Sequence, residues 1–185
     1  SLIFYFKVDF LVLKLLFVSL IMTFSFYALK SLNHRRRPVF DVTLWYWKFS
    51  LSALGLSMII WLFNIFESNY ILAIVYAFGF FYLLLQGMAY KIIPFLSWFH
   101  LNSKGYFKLP TIREFIEERY IKLHFFFHIL SLVFFVAAYF VNSFIYMASF
   151  LFLVSNIIFF INVLTAIRKY AKIAKTDPMD MSSFK

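Results

Sequence analysis

His124 and His128 stand four residues apart in "LHFFFHIL", a spacing that sets two imidazoles on one face of a helix and lets both reach one metal ion. His100 closes the stretch "GMAYKIIPFLSWFHL" and becomes a third donor if the loop after it folds back under the helix that carries the pair. The chemistry open to such a set is haem or copper ligation. The plainer reading is a pair of amphipathic side chains with their polar tips in a headgroup layer. The expectation is therefore no bound cofactor or metal, with haem or copper on His100, His124 and His128 as the alternative, and no catalytic residue is assigned.

Other chemistries find little support. The chain has no cysteine, which removes disulfides, thiolate zinc sites, iron–sulfur clusters and cysteine nucleophiles. Its four glycines, at 55, 79, 87 and 105, are too scattered for a phosphate-cradling loop. Ser/His/Asp catalysis lacks a nucleophile in a recognisable local setting. Carboxylates for a proton relay are missing from the apolar stretches, since Asp9 and Glu67 fall at their ends, and this weakens a transporter or channel reading, which ranks third. Asn64, Gln86, Asn156 and Asn162 read as interhelical glue, with a polar pore lining as their rarer use.

The elements that would position these residues are membrane spans. Of 185 residues, 64% are apolar and 24% aromatic, with 29 Phe, against 14% charged, a balance that excludes an ordinary soluble domain. Five stretches are apolar over the roughly 20 residues that a helix needs to cross a hydrocarbon core. They are 10–29, 49–66, 71–90, 123–141 and 144–167, and together they predict an all-α, polytopic bundle forming one transmembrane domain over 1–185. Lys7, Asp9 and Lys14 interrupt the start of the first, where Lys14 is expected to snorkel outward. Very short connections join spans two to three and four to five, so each pair should be a tight antiparallel hairpin. The opening "SLIFYF" has no basic n-region or cleavage site of a signal peptide and reads as a cut or processed chain.

Charge orients the spans. Loop 30–48, loop 91–122 and the C-terminal tail hold 16 of the 18 Lys and Arg, while the two short hairpins hold none. The positive-inside rule then predicts an N-terminus outside and a C-terminus inside a bacterial-type cytoplasmic (inner) membrane. The net charge of +10 is explained by these loops, with anionic lipid headgroups as their partners and no nucleic acid. "NHRRRP" reads as a stop signal at the inner face, with a headgroup clamp as the alternative.

Two local features refine the loops. Thr111 and Glu114 form a capping-box pattern, and Ile112, Phe115, Ile116 and Tyr120 recur at helical spacing, which predicts an interfacial helix over 112–122. It would lie in the headgroup layer or dock on a partner membrane subunit. In the opening stretch Gly87 admits a close neighbouring helix, Pro94 should end or kink the span, and Trp98 belongs to an aromatic belt.

The run Gly87-x-x-Tyr90-x-x-x-Pro94, followed after a loop by "HFFF" from His124, resembles the large subunit of haem–copper oxidases and nitric oxide reductases over segment 70–141. The segment "YKIIPFLSWFHL" is also similar to multi-spanning bacterial proteins that look like relatives of those oxidases. The resemblance implies an oxidase-like helix scaffold with the third span running from outside to inside. It also implies haem-ligand histidines well before the proline, but 69–78 reads "NYILAIVYAF" with none. The expected function is thus a scaffold without that family's haem ligands in this chain, serving as a structural, assembly or companion subunit. A haem- or copper-binding redox protein is the alternative.

Overall fold

Long runs of Phe, Leu and Ile leave the backbone no partner but itself in a hydrocarbon setting, and the chain answers with helix. The computed structural model describes residues 2–34, 41–66, 69–106 and 109–176, with the side chains of 2–9 aside. Among the described residues there is no strand, and five helices are long and apolar enough to cross a membrane. They are α1 (Leu2–Asn33), α2 (Thr43–Phe63), α3 (Tyr70–Ser103), α4 (Glu118–Ala137) and α5 (Phe144–Ala174). Arg35, Arg36, Arg37 and Pro38 of the basic stop signal, the charges at 7 and 9, Glu67, and the C-terminal residues beyond 176 lie outside the described residues or side chains.

The helices run up and down. α2–α3 and α4–α5 turn back at one end, here the hairpin end, and the longer connections gather at the other, the basic end. α4 packs along α5, α2 packs along α3, and α3 joins the two pairs through contacts with α4 and α5. α1 leans chiefly on α2, where Val18 meets Leu54 and Met58. Lys14 Nζ donates to the Leu62 carbonyl at 3.3 Å and lies over the Trp61 ring, near the end of α2.

Several boundaries differ from the sequence reading. α2 begins at Thr43, before the predicted start at 49, because Lys48 lies inside the helix, where a long basic side chain can snorkel without ending it. α3 runs through Pro94 to Ser103 instead of stopping near 90. A proline takes one amide from the helix, but burial of Tyr90, Pro94 and Leu101 on one side holds the chain in register across that gap. Within α3, Val75–Tyr82 is wound as π-helix, a wider turn than the sequence signals.

The predicted helix over 112–122 is divided. Ile112–Glu114 is a single 3-10 turn, with the Thr111 amide donating to Glu114 Oε2 at 3.2 Å, and α4 starts at Glu118. Phe115 and Ile116 explain the break: both are buried, at 0% and 3% exposure, so they plug the bundle instead of lying flat on a headgroup layer. Asn64 also serves differently from interhelical glue. It takes a left-handed conformation, φ 45°, to close α2, and its amide and that of Ile65 both bond the Ile60 carbonyl.

Candidate functional site

The polar residues of the bundle converge where α2, α3, α4 and α5 meet. Tyr46 comes from α2, Tyr90 from α3, His124 from α4 and Asn162 from α5, each at most 3% exposed. The helices can approach closely here because α3 carries Gly87 opposite Tyr46. A Cβ at that glycine would stand 2.7 Å from Tyr46 Cβ and 2.9 Å from Trp47 Cδ1.

Hydrogen bonds tie the four together. The Tyr46 hydroxyl lies 2.9 Å from the Ile121 carbonyl and 2.8 Å from His124 Nδ1. The Tyr90 hydroxyl is 3.0 Å from the same Nδ1, and Asn162 Nδ2 donates to the Tyr90 oxygen at 2.9 Å and to the Tyr120 carbonyl at 3.3 Å. In one arrangement in which every hydroxyl donates once, Tyr46 donates to Ile121 and Tyr90 to Nδ1. Neutral His124 then carries its proton on Nε2, which has no partner among the described residues.

One turn away, His128 is pinned in the opposite sense. Its Nε2 lies 3.1 Å from the Phe78 carbonyl, in the π-wound part of α3, and a carbonyl only accepts, so Nε2 holds the proton. The Nδ1 lone pair is left buried without a donor among the described residues. The imidazole centroids stand 6.2 Å apart. Around them, Tyr90 and Phe159 pack on His124 at 5.5 and 5.4 Å, and Tyr82 and Phe152 on His128 at 5.6 and 6.1 Å. Beside this level the Gln86 amide, 2% exposed, faces the Tyr82 hydroxyl at longer range and has no partner within 3.5 Å among the described residues. The Tyr82 hydroxyl donates to Asn156 Oδ1.

The three histidines singled out by sequence do not form one set. His124 and His128 are fully buried rather than turned toward a headgroup layer, and one nitrogen of each, Nδ1 of His124 and Nε2 of His128, is bonded between the helices. His100 is an exposed residue of α3, not of a loop, and its ring neighbour is Tyr170 on α5, 5.8 Å away. No group of three or more His, Asp or Glu is arranged to hold a metal among the described residues. Of the two buried imidazoles, His128 has its Nε2 engaged by the Phe78 carbonyl, and the His124 ring packs on Phe159.

At the basic end the site is framed by Asp41, just before α2. Its Oδ1 accepts from the Thr43 amide at 2.9 Å and the Thr43 hydroxyl at 2.6 Å, and its Oδ2 pairs with Lys91 Nζ at 3.1 Å. Burial works to raise this carboxyl's pKa, but the two bonds from Thr43 and the Lys91 ammonium outweigh it and hold the pKa below the usual carboxylate value. Lys91 also covers the Trp47 ring at 4.6 Å. Sequence alone does not mark Tyr46 and Asp41, because the basic residues over 30–48 read as a loop. The signal that would have found Asp41 is its place two residues before Thr43 at the head of an apolar run.

No protein-family model matches the chain, and neither the curated proteins nor the solved structures contain a significant match to it.

Proposed function

We propose that this chain is a multi-pass subunit of the cytoplasmic (inner) membrane, N-terminus outside and C-terminus inside, with a structural, assembly or companion role in a larger membrane complex. The observation that carries the role is the use of its buried polar groups. Tyr46, Tyr90, His124 and Asn162 direct hydrogen bonds at one another and at helix carbonyls, and so clamp four helices together. α1 offers a face to a partner subunit: Leu20, Phe24 and Tyr27, at helical spacing, are 70%, 60% and 62% exposed, and little of this helix is buried. The distribution of basic residues supports the orientation and anionic headgroups as inner-face partners.

Two measurements test the reading. A cysteine at Ser143 should react with a membrane-impermeant reagent from outside and one at Ser103 should not; the reverse pattern would overturn the orientation. Purified protein should carry neither a Soret band nor near-equimolar copper or zinc. One observation favours a second reading, copper binding, because His128 Nδ1 and His124 Nε2 are both without partners among the described residues. Copper would require the other tautomer of His124, with Nδ1–H donating to the Tyr46 oxygen. Near-equimolar copper that is lost in a His124→Gln, His128→Gln double variant would make that reading the leading one.

A further inference from the structure

At the basic end a cavity of about 460 Å³ opens between the start of α2, the later turns of α3 and the segment that leads into α4. That volume lies within the range of small-molecule sites. Its back wall is apolar and buried: Val42, Ile116, Ile121 and the Tyr90 ring are 1–6% exposed. Its lip is apolar and open, with Ile92, Phe95 and Ile112 exposed by 50%, 48% and 38%. An acyl chain suits such a lip.

Four charged residues complete the lining: Asp41 and Glu118, Lys91 and Arg113. Two of each sign make this cavity neutral, although the surrounding end of the molecule, with Arg119, Arg168, Lys169 and Lys172, is strongly basic. Neutrality inside a basic face is the informative feature. An anionic headgroup placed here would bring its phosphate against two carboxylates with no cation of its own to offset them. A zwitterionic headgroup matches both signs at once, and charge-assisted bonds to an ionised donor and acceptor are the stronger kind.

We propose that this cavity binds one phospholipid of the ethanolamine class. Arg113 takes its phosphate together with Lys91, which keeps its pair with Asp41, Glu118 takes its primary ammonium with the remaining lone pair of Asp41 Oδ2, and an acyl chain lies along Ile92, Phe95 and Ile112. A choline headgroup carries the same charges but has no N–H to donate to the carboxylates, so it binds less well. The inference goes beyond the structural role proposed above and does not depend on orientation, because the cavity exists whichever leaflet it faces.

The test uses the purified full chain in detergent, exposed to an equimolar mixture of phosphatidylethanolamine, phosphatidylglycerol and phosphatidylcholine and read by native mass spectrometry. One phosphatidylethanolamine per chain is expected, retained about tenfold over either competitor, a factor that corresponds to about 1.4 kcal/mol. Arg113→Glu should lower that retention by about tenfold, while Arg168→Glu, an exposed residue outside the lining, should leave it unchanged. Equal retention of the three lipids, preference for phosphatidylglycerol, or an Arg113→Glu variant that binds as before would each overturn the proposal. Because the headgroup series is run on the unaltered protein, a variant that folds poorly does not rescue it.

Discussion

Gly87 and Tyr90 sit one turn apart on α3, and each should be intolerant of a small change for its own reason. Alanine at 87 forces its Cβ against Tyr46 Cβ and the Trp47 ring, atoms held by backbone and by a large indole, so α2 must move away from α3. Overpacking of this kind costs about 1–3 kcal/mol. We predict that Gly87→Ala lowers resistance to SDS unfolding by that amount. Tyr90→Phe keeps the ring but removes the hydroxyl between Asn162 and His124, leaving two buried groups short of a partner. Interhelical hydrogen bonds in membranes are modest, so the expected loss is about 1–2 kcal/mol. A double-mutant cycle with Asn162→Leu checks the pairing: the second change should cost less once Tyr90 is gone. The residue types of this site were legible in the sequence, since His124, Tyr90 and Asn162 all drew notice. Their mutual contact was not, because it depends on how three separate helices are rotated about their axes.

At the scale of elements, the ends of α2 and α4 show where local patterns hold and where packing overrides them. Asp41 caps the head of α2, and its pKa is depressed in the folded protein. The sign follows: its contribution is fully present above the unfolded carboxylate value of about 3.9 and is lost as pH falls through the lower folded value. Stability measured from pH 6 downward should therefore decline at acid pH, and an Asp41→Asn variant should show less of that decline. The break before α4 has another origin. Thr111 and Glu114 do form their local turn, yet Phe115 and Ile116 turn inward and end it after one turn. Phe115→Ala, which empties a fully buried position, should cost about 3–5 kcal/mol and should speed amide exchange through 112–118. Periodicity could not reveal this, because Phe115 fits an amphipathic stripe and a buried plug equally well.

The whole molecule is apolar both inside and out, so exposure alone says little about which residues matter for folding. Leu20 on α1 is 70% exposed and Leu54 on α2 is 5% exposed, though nothing in their types distinguishes them. Replacing Leu20 by Ala in a monodisperse micelle should change stability by less than about 0.5 kcal/mol, as at other open positions. Leu54→Ala should cost about 2–5 kcal/mol, because it opens a cavity where α1 packs on α2. A large effect of Leu20→Ala only when a partner subunit is co-expressed would show that this face is covered in the assembled complex.

The sequence by itself determined the class of the molecule. Composition and run length call for five helices long and apolar enough to cross a membrane, because only a self-bonded backbone survives in hydrocarbon, and short connections call for antiparallel pairs. It also marked Gly87 as a point of close approach, since a missing side chain has that consequence wherever a helix passes. Tertiary structure alone decided that Lys48 and Pro94 lie within helices, that His124 and His128 are buried while His100 stands apart, and that Asp41 and Lys91 line one cavity with Arg113 and Glu118. The reason is common to all of these. Each depends on which faces of different helices meet, and in a chain apolar on every side the hydrophobic pattern carries almost no information about facing, so a few polar contacts and one glycine select the arrangement.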